Sequence, residues 1–325
     1  MNQEKLITIS IVSSDDVNVL NRCLGLIFSE TGKDISFEVY VVNNNSGLDT
    51  SNMVRAKYPQ VKLTENDRRR GFSENHNQVI RARSGEYVLV MNPDIYIRQG
   101  FIENLLKCME SDKKTGIVMG KLLFGEAGSG KKTFDSAGGM IFRDRRTADR
   151  GQGLEDNGQY DSAEEVFYGS GSAMLCRREM LEDIKLFGEY FDGSFYLYKE
   201  ELDLCWRARL RGWKVMYNPK AVAYHLRGWG KGKSRAKVPR FIRRHSYKNR
   251  YLMMLKDDHV INVLKDLPFI LWHEVKALAY MIFREPHLFL AWPQIFRLLP
   301  FTLRKRREIM KRAVVGPDEI RKWFC

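Results

Sequence analysis

EYVLVMNPD, residues 86–94, is the stretch on which the fold turns. An apolar run that stops at Asn92-Pro93-Asp94 reads as a strand ending in polar residues. Working back toward the N-terminus, the same unit recurs. VKLTEN (61–66), FEVYVVNN (37–44) and the β-branched LITISIV (6–12) are strands. Between them lie VNVLNRCLGLIF (17–28), NMVRAKY (52–58, stopping before Pro59) and GFSENHNQVIRAR (71–83, opened by a glycine and closed at Ser84-Gly85), with apolar residues at helical spacing. Strand–helix repetition predicts an α/β domain, a mainly parallel sheet with helices on both faces. Ligands then lie beyond the carboxyl ends of the strands. Those ends are Ser13-Ser14-Asp15, Asn43-Asn44-Asn45, Asn66 and Asn92-Asp94, polar at all four.

Toward the C-terminus, residues 125–165 are rich in Gly, Asp and Arg and read as loops or a hairpin around GGMIFRD. GSGSAMLCRREMLEDI (169–184) reads as a small-residue turn leading into a helix. YLYKEELDLCWRARLRG (196–212) is a strand end, an acidic start and a helix closed by Gly212, with acids in its first turn and arginines later, as the helix dipole prefers. WKVMYNPKAVAYH (213–225) is a last strand ending at His225. The glycine- and lysine-rich GWGKGKS (228–234) marks a boundary, so residues 1–226 and 227–325 are expected to be two regions.

Charge separates the same two regions. The 325-residue chain carries a net +14, yet residues 227–325 hold 23 Lys/Arg against 8 Asp/Glu. All of the basic excess therefore lies in the C-terminal third, a patch suited to phosphate in lipid head groups or nucleic acid. From residue 240 the pattern is helical, aromatic and basic. PFILWH, AYMIF and HLFLAWPQIF are each too short to span a bilayer. They read as in-plane amphipathic helices anchored by Trp272, Trp292 and nearby cations. The five cysteines are scattered without metal-ligand spacing, and MNQEKLITISIV runs straight into a strand without a signal-peptide pattern. A reducing, intracellular compartment is expected.

Three groups carry chemistry. Asp94 at a strand end suits a hard cation such as Mg²⁺ or Mn²⁺, although an aspartate after proline is often only a turn. Glu200, Glu201 and Asp203 crowd one helix start, where carboxylates raise one another's pKa toward general-base behaviour; helix capping is the plainer reading. His225 could complete a metal site with Asp94.

The order and spacing of these blocks resemble glycosyltransferase family 2, the inverting GT-A enzymes, and most of all its rhamnosyltransferase-like branch from bacterial surface polysaccharide assembly. The matching blocks are ISIVSSDDVNVLNRCL, EVYVVNNNS, EN…GFSENHNQVI, GEYVLVMNPD, GSAMLCRREM, FGEYFDGSFYLYKEELDLCWRARLRGWKVMYNPKAVAYH and YKNRYLMMLK. The resemblance implies a GT-A sheet followed by a C-terminal helical, basic, amphipathic region for acceptor or membrane-surface association. It places Ser13 and Asp15 on the nucleobase side. Asn43 stands where the family usually has an aspartate that reads the pyrimidine. Asn45, Asn77 and Asn92 lie about the donor, and Asp94 is the principal ligand of Mg²⁺ or Mn²⁺, with His225 joining the metal shell. Glu201 aligns with the usual general base, Glu200 is its alternative, and Asp203 with Arg207 orients that helix. Arg68-Arg69-Arg70 looks like an insertion that either touches the diphosphate through Arg70 or is a solvated loop.

The implied reaction moves a sugar from a dTDP- or UDP-sugar, L-rhamnose first, onto a polyprenyl-linked saccharide. The implied place is the cytoplasmic side, peripheral on the inner face of the membrane, with no nucleic acid as partner. Two readings compete. A catalytically dead sugar-nucleotide-binding subunit is suggested by Asn43, Asn92 and Glu201, and would bind nucleotide without turnover. A basic nucleic-acid-binding protein would use residues 227–325 and leave the acids at 200–203 without a role.

Overall fold

The computed structural model describes residues 6–13, 15–82, 85–128, 132–226 and 238–325. Ser14, the helix closure at Arg83-Ser84 and the GWGKGKS boundary lie outside the described residues. The first half is β1 (Ile7–Val12), α1 (Val17–Glu30), β2 (Phe37–Asn43), α2 (Leu48–Lys57), β3 (Lys62–Glu65), α3 (Phe72–Ala82) and β4 (Tyr87–Met91). These four strands are parallel in the order β3-β2-β1-β4, with Ile11 beside both Val41 and Met91. The order reverses at β1, so a crevice opens beyond the ends of β1 and β4. Asp16 caps α1, its carboxylate accepting from Asn18 N and Val19 N.

The rest of the sheet comes from β5 (Ile95–Ile97), β6 (Thr115–Phe124), β7 (Phe134–Ser136), β10 (Glu164–Glu165), β11 (Ala173–Arg177) and β12 (Lys214–His225), with α4 (Phe101–Glu110) between β5 and β6. β8 (Gly139–Ile141) and β9 (Thr147–Asp149) form the hairpin expected around GGMIFRD. AMLCR, expected within a turn, is instead the central strand β11, antiparallel to both β4 and β6. Five residues flanked by glycines and a helix carry little period of their own. What makes them a strand is the gap between β4 and β6, which buries Ala173 to Cys176 completely. The sheet is therefore mixed, though its first half is parallel as expected.

Helix α5 (Arg178–Ile184) follows β11, and α6 (Glu200–Leu210) covers the sheet before β12. The described C-terminal residues form α7 (Arg240–Asp257), α8 (Val260–Lys265), α9 (Leu267–Phe283), a 3-10 turn at 286–291, α10 (Trp292–Arg312) and α11 (Pro317–Arg321). They share the main core: Leu252, Met253, Ile309, Ile320 and Phe324 join it. Phe324 meets Trp206 of α6 edge-on, with centroids 5.7 Å apart. Fully buried Arg145 ties the hairpin to this region through Asp258 (2.6 Å) and Asp266 (3.0 Å). Among the described residues no helix is long and apolar enough to cross a membrane.

Candidate active site

Two clefts meet at the end of β4. One, of about 700 Å³, runs along the ends of β1 and β4 and is lined by Val12, Asn44, Arg69, Arg70, Asn75 and Tyr196 among others. The second, of about 520 Å³, is lined by Asp149, Tyr168, Lys199, Glu200, Glu201 and His225 among others. Asn92, Asp94, Phe72 and Leu197 line both. A molecule in one cleft therefore meets a molecule in the other beside Asp94.

Pairing of β5 and β12 brings Asp94 and His225 together. His225 lies opposite Ile95, and Leu226 N donates to Asp94 O at 3.0 Å. The imidazole Nε2 is 3.3 Å from Asp94 Oδ2, and Nδ1 is 2.7 Å from Oδ2 of buried Asp135 on β7. Burial lowers the His225 pKa, but the hydrogen bonds to Asp135 and Asp94 outweigh it and raise the group overall. A carboxylate on the far nitrogen is the usual way to fix a metal-binding imidazole. Among the described residues no three His, Cys, Asp or Glu side chains could by themselves hold a cation. The pair nonetheless fits Mg²⁺ or Mn²⁺, because such ions take few protein ligands and complete their shell with substrate phosphates and water. Asp94 is part exposed and opens on both clefts.

Glu201 is part buried in the wall of the second cleft, where Gly171 packs against it: a Cβ at residue 171 would lie 3.1 Å from Glu201 Cβ. Glu200 is 3% exposed. Burial pushes its carboxyl well above the usual range, and the charge of Glu201 adds to that. Asp203 lies outside both cleft linings, fully buried. It accepts from Arg207 at 2.9 Å and pairs with Lys256 of α7. Arg207 also donates to Ile184 O and Tyr190 O, so this pair orients the helix.

The turn that presents Glu201 is held in a costly backbone form. Tyr196, Tyr198 and Lys199 have φ of 64°, 71° and 72°, a region that side chains disfavour. Buried Asn249 of α7 offsets this by donating its amide to Phe195 O (2.9 Å), Leu197 O (2.9 Å) and Tyr198 O (2.7 Å). Gly71 is required beneath the same turn, since a Cβ there would lie 2.4 Å from Tyr196 O. Lys199 donates to Thr147 Oγ1 at 3.0 Å, and desolvation lowers its pKa against the pull of Glu201.

In the cleft along β1 the amides build the wall more than they face it. Asn43 spends its side chain on its own loop, donating to Gly47 O and Ser51 Oγ and accepting from Ser46 N. Asn44 holds Arg70 by a reciprocal pair, Arg70 N to its Oδ1 (2.8 Å) and its Nδ2 to Arg70 O (3.0 Å). Asn66 joins Asn44 to Asn75. Asn77 lies outside both cleft linings and is bonded to the backbone of Tyr190 and Phe191. Ser13 bonds Ser46 at 2.8 Å, and exposed Asp15 pairs with Arg69. Asn45 is exposed at φ 57°. Arg70 lines the cleft while paired with Asp67 and Glu74.

Sequence reasoning missed Asp135, Asn249 and Asn75. The loop-like composition around Asp135 concealed it. Asn249 lies within the quoted YKNRYLMMLK block, but a helical asparagine says nothing of what it faces.

A family model described as glycosyltransferase like family 2 matches residues 4–247. An N-acetylglucosaminyl-diphospho-decaprenol L-rhamnosyltransferase of Mycobacterium tuberculosis is 28% identical over 247 residues, covering 67% of this chain and 75% of the relative. The low-salt glycan biosynthesis hexosyltransferase Agl10 of Haloferax volcanii is 24% identical over 209 residues, covering 63% and 61%. Among solved structures, GalNAc-T7 with UDP, GalNAc and Mn²⁺ matches with a TM-score of 0.59 at 14% identity, over 78% of this chain and 48% of that one. Mannosyltransferase PcManGT of Pyrobaculum calidifontis, with GDP-Man and Mn²⁺, matches with a TM-score of 0.52 at 17% identity, over 98% and 82%. These two share the fold, which is the GT-A arrangement of a mixed, mainly parallel sheet between helices. The chain belongs to glycosyltransferase family 2.

Proposed function

We propose that this enzyme transfers a sugar, with inversion, from a nucleoside-diphosphate sugar to a hydroxyl of a polyprenyl-linked saccharide at the inner face of the cytoplasmic membrane. The observation that carries this reading is the junction of the two clefts, with Asp94 between them and Glu201 in the wall of the second. The donor's nucleotide fits the cleft along β1, and the acceptor fits the cleft bearing Glu201. The acceptor oxygen bonds to the anomeric carbon as the bond from that carbon to the diphosphate breaks. Glu201 takes the hydroxyl proton, and Asn249 holds the turn that aims it. Asp94 and His225 would hold Mg²⁺ or Mn²⁺, which supplies positive charge to the leaving diphosphate. Glu200, almost wholly buried, is the weaker candidate for the base.

The rhamnosyltransferase relative supports L-rhamnose as the transferred sugar and a diphosphopolyprenol-linked sugar as acceptor, and dTDP is the nucleotide that the family resemblance implies. A UDP-sugar is the competing donor. A thermal-shift panel of dTDP, UDP, GDP and CDP, with and without Mn²⁺ or Mg²⁺, tests the reading. A ligand at a hundred times its Kd stabilises by about 2.7 kcal/mol, a shift of several degrees for a chain of this size. A metal-dependent shift, larger with dTDP and lost in Asp94→Ala, is expected. A larger shift with UDP would discard the rhamnosyl donor, and none with any nucleotide would discard the donor cleft.

A further inference from the structure

We infer that α9 and its neighbours form a docking surface for an anionic lipid bilayer, beside the acceptor cleft. The inference rests on the proposed lipid-linked acceptor and names the surface that reaches it. Helix α9 packs inward through Ile270, His273, Glu274, Ala277 and Met281, of which Ile270 and Met281 are buried. The rest of its circumference is apolar and exposed, with Leu271 54%, Trp272 65%, Val275 60% and Phe283 80% accessible. Lys276 is the one charged residue on that face. Leu264 before it and Leu290 and Phe296 after it extend the apolar surface. A soluble domain rarely leaves so much contiguous apolar surface in water, and such a patch marks an interaction site.

The charges around this patch choose its occupant. Between Val260 and Arg307 there are three acids, all turned inward. Asp266 is fully buried and paired with Arg145. Glu274 accepts from Arg250 at 2.6 Å, and buried Glu285 pairs with Arg243. The exposed charges of the same stretch are Lys265, Lys276, Arg284, Arg297, Arg304 and Arg307, every one positive. An apolar crest whose own exposed charges are all cations, Lys265 among them pairing with exposed Asp318 of α11 at 2.8 Å, matches a surface whose interior is hydrocarbon and whose head groups are negative. A second copy of the chain would set these cations against each other. The hairpin of β8 and β9 joins this surface to the site. Its turn touches α9 through Asp144 and His273 (3.9 Å), and three residues on Thr147 lines the acceptor cleft. A polyprenyl anchor seated in the bilayer beneath α9 would thus place its saccharide at that cleft.

The test is co-sedimentation of the whole protein with vesicles of phosphatidylcholine alone or mixed with phosphatidylglycerol. Binding to the anionic vesicles, weakened by salt, is expected. Trp272→Glu with Phe283→Glu should lower it about tenfold or more, since each loses the burial of one large side chain. Both residues are exposed, so the variant should keep its melting temperature and its metal-dependent shift with nucleotide. Wild-type protein that stays in the supernatant with anionic vesicles would overturn the inference. So would a stable dimer in light scattering that the double variant dissociates. A nucleotide shift that persists through either result leaves the transferase reading standing, and its absence alone would fell that reading and not this one.

Discussion

Removing the charge of Asp135 should weaken the metal site without touching either cleft. Asp135 Oδ2 lies 2.7 Å from His225 Nδ1, on the side of the ring away from Asp94, and its residue is fully buried. It thus acts on the cation only through the imidazole, holding the ring so that Nε2 faces Asp94. Loss of such an outer partner costs about 10–100-fold in metal affinity, or about 1.4–2.7 kcal/mol at 1.36 kcal/mol per decade. The two ends of that range correspond to two variants. Asp135→Asn keeps an acceptor for Nδ1–H but loses the charge, and should fall near tenfold. Asp135→Ala loses both and should approach a hundredfold. Activity measured against Mn²⁺ concentration separates this from general damage: the half-saturating metal concentration rises while the rate at saturating Mn²⁺ recovers to within a few fold. Equal metal titrations for wild type and a folded Asp135→Ala protein would refute the assignment of Asp135 and of His225 with it.

Glu201→Gln should lower kcat by about 10²–10⁴-fold and leave the nucleotide shift intact. Glu200→Gln resembles the protonated form that burial favours and should stay within about tenfold of wild type; the reverse order would make Glu200 the base. Asn249→Ala leaves three carbonyls, that of Phe195 buried, without this donor and should cost about 2–3 kcal/mol in urea unfolding. It should also lower kcat more than it raises the donor KM, and an unchanged kcat would show that the turn aims itself. His76 is 1% exposed, bonded to Ser10, and burial depresses it to about 3. It is neutral when folded and charges near 6.5 when unfolded, so its contribution is present above that value and is lost as the pH falls. Between pH 7 and pH 5 the loss is about 2 kcal/mol, seen as a falling urea midpoint that His76→Gln should flatten.

Much was legible in the residues themselves. β1, β2 and β4 were visible because each is an apolar run that buries both faces and stops at polar residues, a pattern written locally, while the edge strand β3 is largely exposed and was marked by its place in the strand–helix repeat. That Asp94, Glu201 and His225 stand at element ends was legible because composition changes abruptly there, while their meeting in one cleft was decided by the fold. The direction of β11 was not, because a five-residue strand takes its orientation from the neighbours that bury it. Asn77 read as a ligand-facing amide, yet the structure spends it on the backbone of Phe191, since hydrogen-bond partners more than a hundred residues away are invisible along the chain; Asn43 is spent instead on its own loop, at Gly47, Ser51 and Ser46. The basic excess and the aromatic runs after residue 240 were plain in the sequence. That Asp258, Asp266, Glu274 and Glu285 turn inward was decided only when α7, α9 and α10 packed against the domain and each of these carboxylates met an arginine.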